Sequence, residues 1–175
     1  MSLSQSKLYN AILDIFTKEK VEPTMINFAK ELSDAYDEYC QDAMTYAGNQ
    51  LISAGKSQMR SILETLDAEG NTGAFVASTI SSSIVAYWSN CVFAPMPPLP
   101  PGFSVVTVVT ITPPSTPSAS GIQSAIMSGG SDTVQANLWA LAIHQQTLSV
   151  TTTHVGLDTT LPTPLPKTES NKPIQ

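Results

Sequence analysis

His144 and His154 are the two imidazoles of the chain, and an imidazole can serve as a general base or a metal ligand only beside suitable partners. Neither has a cysteine or carboxylate at ligand spacing, so both read as hydrogen-bonded structural or surface residues. Cys40 and Cys91 are the only thiols. Two lone cysteines cannot build a disulfide framework and read as small buried apolar side chains. The stretch AGNQLISAGKS, residues 47 to 57, resembles a phosphate loop until its spacing is checked. Such a loop needs four residues between the first glycine and Gly-Lys-Ser, so that successive N–H groups curl around phosphate oxygens. Here six residues separate Gly48 from Gly55, and no buried strand leads in. The stretch therefore reads as a loop between two helices.

Ser53-Ala54-Gly55-Lys56 and Ser4-Gln5-Ser6-Lys7 fit the Ser-x-x-Lys spacing of acyl-transferring serine enzymes, in which lysine helps activate the hydroxyl. The companion Ser-Asp-Asn and Lys-Thr-Gly elements are missing, as is a Gly-x-Ser-x-Gly elbow. Asp34, Asp37, Glu38 and Asp42 recur at helical spacing, which spreads them over a solvated face instead of around one cation. No residue is thereby assigned a catalytic, cofactor-binding or metal role, and a non-enzymatic chain without a cofactor is expected.

The elements that carry these residues come in two styles, divided by charge. Charged residues crowd the segment before Gly70, none occurs from Gly70 to Ser131, and only Asp132, Asp158, Lys167, Glu169 and Lys172 follow. A formal net charge of −6 with eight Lys plus Arg cannot supply the basic stripe that nucleic acid or an anionic membrane surface requires. With 175 residues, 42% of them hydrophobic, one domain with appendages is expected. The amino-terminal residues lack an uninterrupted apolar stretch, so no signal peptide is expected in them. Residues 74 to 96 carry no charge, but six Ser or Thr and one Asn interrupt them, which favours a buried helix over a membrane span.

The first part reads as helical. Leu8, Ala11, Ile12, Ile15 and Phe16 recur at helical spacing. A longer helix starting near Pro23 or Thr24 aligns Met25, Phe28, Ala29, Leu32, Tyr36, Tyr39, Cys40 and Ala43. A third helix carries Met59, Ile62, Leu63 and Leu66. Residues 73 to 92 form a fourth, with Phe75, Ile80, Ile84 and Trp88 on one side. FSVVTVVTIT, residues 103 to 112, reads as a strand because β-branched residues dominate a run closed by Pro113 and Pro114. A further helix spans 133 to 147, aligning Val134, Leu138, Leu141 and Ala142. LSVTTTHV, 148 to 155, reads as a second strand able to pair with the first. The expected fold class is mainly α: a helical unit over 1–94, a Pro-rich connector over 95–102, a mixed strand and helix assembly region over 103–160, and an extended tail over 161–175.

Pro95, Pro98 and Pro101 in FAPMPPLPPGF lie along one edge of a polyproline II helix. That geometry suits an aromatic groove, yet no Lys or Arg flanks it to fix orientation. A stiff strut that projects the following strand is the preferred reading, and an adaptor segment bound by a partner domain is the alternative.

AYDEYCQDAMTYAGNQL, the Tyr-Trp segment AYWSNCVFAPMPPLPPGF and the Thr- and Pro-rich end together resemble small virion structural proteins of tailed bacteriophages. The resemblance implies a non-enzymatic building block of the tail, baseplate, neck or head surface, located in the virion, with cytoplasmic as the alternative location. Its partners would be other protein subunits, its own copies included, with no nucleic acid and no membrane. A charge-free surface needs a cover. Tyr87, Trp88, Phe93, Phe103 and Trp139, together with Pro95, Pro98 and Pro101, are the interface residues that this reading selects.

Overall fold

A computed structural model of the chain describes residues 3–19, 25–66, 72–94, 106–114, 118–158, 163 and 165–175. Among the described residues, the order is α1 Gln5–Glu19, α2 Met25–Cys40, β1 Leu51–Ser53, α3 Lys56–Leu63, α4 Gly73–Ser89, β2 Val92–Phe93, β3 Val106–Thr112, α5 Ser118–Ser128, α6 Asp132–Leu148, β4 Thr151–Asp158 and β5 Leu165–Pro173. The molecule is mostly helical, with a two-stranded sheet β1-β2 and a three-stranded antiparallel sheet β3-β4-β5.

Helical spacing of apolar residues explains α1 and α2. Leu8, Ile12 and Ile15 of α1, and Phe28, Ala29, Leu32, Tyr36, Tyr39 and Cys40 of α2, are buried along continuous stripes. On the outside, Lys18 bridges Asp14 at 2.7 Å and Glu31 at 3.6 Å, joining the two helices. The charge-free α4 is a core helix. Its hydroxyl cap, Thr72, accepts from the Phe75 N–H, which satisfies one of the donors orphaned at a helix start. Ala77, Ile80, Ser81, Ile84, Tyr87 and Trp88 are buried, while Phe75 stays 45% exposed at the first turn and leaves the expected stripe. No helix among the described residues is long and apolar enough to cross a membrane.

α6 is present nearly where expected, with its buried face partly shifted. Its buried side is Ala136, Trp139, Ala140, Ala142, Ile143, Gln146 and Thr147. Of the expected stripe, Ala142 is buried and Leu138 packs against the core, whereas Val134 and Leu141 face solvent. At Gly121 a Cβ would lie 3.0 Å from that of Ala142, so small residues suit the α5–α6 contact. α5 occupies a stretch with no apolar stripe of its own beyond Ile122, Ala125 and Ile126. Packing against α4 and α6 stabilises it.

The buried cluster runs on past residue 94: Ile122, Trp139 and Ile143 belong to the same cluster as Leu8, Leu32 and Trp88, so α5 and α6 add to the helical body. Where an extended tail was expected, the described residues include an ordered strand. Residues 165–173 form β5, paired along β4 from Asp158↔Leu165 to Thr151↔Pro173, and Ile174 is buried beyond it. Backbone bonds in both directions between Met44 and Gln175, at 3.0 and 2.8 Å, clamp this end to the segment after α2. The proline-rich connector, with Pro95, Pro98, Pro101 and Phe103, lies outside the described residues.

Candidate functional site: the C-terminal sheet and its two faces

The aromatic residues singled out as contact anchors are occupied inside their own chain. Tyr87 and Trp88 are fully buried, and Phe93 and Trp139 nearly so. Trp88 Nε1 donates to the Tyr36 hydroxyl at 2.8 Å. Thr147 Oγ1 donates to the Ile143 carbonyl at 2.9 Å, so the 2.8 Å contact between Tyr36 and Thr147 is Tyr36 donating. Tyr87 donates to Asp37 Oδ1 at 2.9 Å. Burial pushes the phenols of Tyr36, Tyr39 and Tyr87 upward, with desolvation as the main cause in each. Trp139 packs edge-on against Phe16 and Phe28, at 5.2 and 6.3 Å between ring centres. Within the chain these four residues pack against α1, α2, α4, α6 and β2, and their rings are turned into the core.

The tempting spacings resolve into structural contacts. Lys7 reaches the Glu38 carbonyl at 2.8 Å and Asp42 at 3.4 Å, and Lys56 sits 2.5 Å from Asp34. The bond from Lys56, then that from Lys30, holds the Asp34 carboxyl below its ordinary range. Lys56 also borders an open depression of about 440 Å³ with Asp37, Gln41, Leu51, Ile52 and Ala54. Gly55 has a steric purpose: a Cβ there would lie 2.4 Å from the Tyr87 carbonyl oxygen. Gly48 turns the preceding loop at φ 88°, a left-handed value that glycine adopts without strain. The stretch between them was expected as a plain loop; instead it contains β1, which pairs with β2 through Leu51↔Phe93. His144 Nδ1 lies in a 2.6 Å hydrogen bond with the Tyr39 hydroxyl. Cys40 and Cys91 are buried and free. Burial raises both thiols, Cys91 to about 12, which leaves them as unreactive apolar fillers. Among the described residues, no three histidines, cysteines or carboxylates gather around a common point.

Polar side chains do converge under the three-stranded sheet. Alternation along β4 turns Thr152 and His154 inward, both buried, and Thr153 and Val155 outward. His154 stands opposite Val108 of β3 and Glu169 of β5. Tyr46, from the loop after α2, lies against the His154 ring at 4.8 Å between centres and donates to Glu169 Oε2. Lys167 and Lys172 approach the same carboxylate at 3.0 and 3.5 Å, and Lys172 also stands over the Tyr46 ring. The bond from Tyr46, ahead of the one from Lys167, holds Glu169 down at about 2. Desolvation lowers His154, with Glu169 acting against it and Lys172 with it.

The outer face is chemically the opposite. Register places Thr110 and Thr112 of β3, Thr151, Thr153, Val155 and Leu157 of β4, and Pro166, Thr168 and Pro173 of β5 on it, none of them charged. Val155, Leu157, Thr110, Thr112, Pro166 and Thr168 are exposed. A half-buried antiparallel sheet ordinarily turns apolar residues to the core and polar ones to water. Here the charged residues of the ladder lie on the body side, and the solvent side carries only hydroxyls, methyls and rings.

Sequence reasoning missed Tyr46, Glu169, Lys167 and Lys172, and treated His154 as isolated. Their signal was the alternation in PKTESNK, where Lys167 and Glu169 share one side and Pro166 and Thr168 the other. The surrounding prolines concealed it, since proline is tolerated on an edge strand. No protein-family model, no curated protein and no solved structure matches this chain.

Proposed function

We propose that the protein is a non-enzymatic structural subunit of a multi-subunit assembly, of the kind found in tailed-phage virions, and that the outer face of the C-terminal sheet is its contact surface. The observation that carries this reading is the charge-free, β-branched and proline-bearing outer face, set on a molecule whose net charge is −6. Interface centres are depleted of charge. A second copy is the occupant that fits best, because two such acidic bodies repel wherever their helical surfaces meet but not where neutral sheet faces meet. The exposed Ile52 and Val92 of the two-stranded sheet, at 63% and 50%, offer a smaller additional apolar contact.

Sedimentation velocity over a concentration series tests this directly. The expected result is concentration-dependent self-association, lost in a Val155→Lys, Leu157→Lys double variant that retains the parent's far-UV circular dichroism and melting temperature. A chain that stays monomeric throughout the series, or a variant that associates like the parent, overturns the reading.

A further inference from the structure

We infer that His154 is an acid-sensitive latch, whose protonation releases the C-terminal strand β5 from the body of the protein. The ring is fully buried, and neither Nδ1 nor Nε2 has a hydrogen-bond partner among the described residues. A neutral imidazole in that position leaves a donor and an acceptor unmatched, which a buried site penalises. An imidazolium has two donors and a charge, and among the described residues neither ring nitrogen has an acceptor to donate to.

The surroundings decide what gives way. β3, with sequence VTVVTIT, brings no titratable residue to the ring. From the loop after α2 comes Tyr46, and from β5 come Glu169, Lys167 and Lys172. Among the described residues Glu169 is the anion that stands opposite the ring, and its oxygens already receive Tyr46, Lys167 and Lys172. It makes no hydrogen bond to His154, so to neutralise an imidazolium it must swing toward the ring and away from Tyr46, whose bond helps to tie β5 to the body. If it does not turn, the new charge stays buried without an acceptor and beside Lys172. Both routes weaken the same strand.

β5 is the element least able to resist. Its residues are exposed or half-exposed along its whole length, and it forms the outer edge of its sheet. Asn171 adds a break, with φ 56° where the register slips between Thr152 and His154. The other ties of β5 include the β4 ladder, Lys172 over the Tyr46 ring, the Met44–Gln175 pair and buried Ile174.

Because the folded-state titration of His154 lies below the free value of 6.5, its contribution is whole above that value and declines as the pH falls toward the folded one. Amide hydrogen exchange on the full chain, corrected for intrinsic rates, reads the latch from about pH 7.5 to about pH 5.5. The expected result is faster exchange at Thr168, Glu169 and Lys172 on acidification, about tenfold for each pH unit separating the free and buried titrations. The amides of α2, α4 and α6 should hold their protection. A His154→Phe variant should lose the acid step, and a His144→Gln variant should keep it. Should His154→Phe not fold, the imidazole resonances of the unaltered protein provide the second measurement, with the His154 midpoint coinciding with that of β5 exchange. Unchanged β5 protection across the range, a step that survives His154→Phe, or a His154 midpoint apart from the β5 transition would overturn the inference.

Discussion

The helical body and the C-terminal sheet both bury polar side chains, but they treat them differently. Between α2, α4 and α6, the Trp88 indole, the Tyr36 phenol and the Thr147 hydroxyl pass hydrogen bonds in one direction to the Ile143 carbonyl, so each donor of that relay ends on an acceptor. Among the described residues, the Trp139 indole of the body and the His154 ring under the sheet are buried without a partner. The two differ in chemistry: an indole N–H keeps its proton across the ordinary pH range, whereas an imidazole gains one in mild acid. The body thus carries a fixed cost and the sheet a pH-dependent one, and this division can be attacked from either side.

Trp88→Ala should have the largest effect. It empties the centre of the body and removes the donor to the Tyr36 oxygen, and by the cost of large-to-small core replacements it should lower the unfolding free energy by about 4 kcal/mol. Urea denaturation followed by tyrosine and tryptophan fluorescence measures this; a loss near that of a surface variant would mean that the body is not the stable half. Gly55→Ala comes next. A methyl group there meets the Tyr87 backbone at 2.4 to 2.9 Å, and displacing that turn of α4 should cost about 2 kcal/mol. Thermal unfolding of the variant checks this.

Tyr36→Phe preserves the ring while leaving the Trp88 N–H without its acceptor, and a loss of about 1.5 kcal/mol is expected in the same urea measurement. Glu169→Gln should be mildest at neutral pH, below about 1 kcal/mol, because its lysine partners are accessible to solvent and salt screens them. Acid reveals more. The Glu169 carboxyl is lowered from 4.5 to about 2, so the stability it lends is complete above 4.5 and disappears as the pH descends to about 2. Melting curves across that window should decline more shallowly in the variant than in the parent. An identical decline would remove Glu169 from the set of groups that hold the sheet.

The sequence disclosed the helices whose burial is decided by hydrophobicity. In α2, each residue of the expected stripe whose side chain is described, from Phe28 to Ala43, is buried, since a wide apolar face leaves one orientation open. It caught the face of α6 in part: Ala142 is buried and Leu138 packs on the core, but Val134 and Leu141 are exposed while Ala136, Ala140 and Thr147 go inward, small or polar positions that a hydropathy pattern does not single out. α5 and β5 escaped notice for a related reason. Ser118–Ser128 has weak intrinsic helicity, and PKTESNK has the composition of a linker. Both obtain their structure from partners distant in the chain, α4 and α6 for one and β4 for the other. The charge-free run that the sequence shows, Gly70 to Ser131, covers only β3 of the candidate surface; β4 and β5 carry charges, and the neutral face emerges from register, which only the paired strands supply.

The pairing of Ser81 with Gln146 bears on how α4 is seated. Gln146 Nε2 donates to the Ser81 carbonyl at 3.0 Å, and the Ser81 hydroxyl donates to Gln146 Oε1 at 3.3 Å, both out of reach of water. From Ala77 to Ala86 the α4 side chains are Ser, Ala, Thr and short aliphatics, and their bulk alone sets little axial position. The large Tyr87 and Trp88 fix the helix at its C-terminal end. An amide that meets Ser81 at a single axial setting adds an indexing pin to the stretch that lacks such bulk.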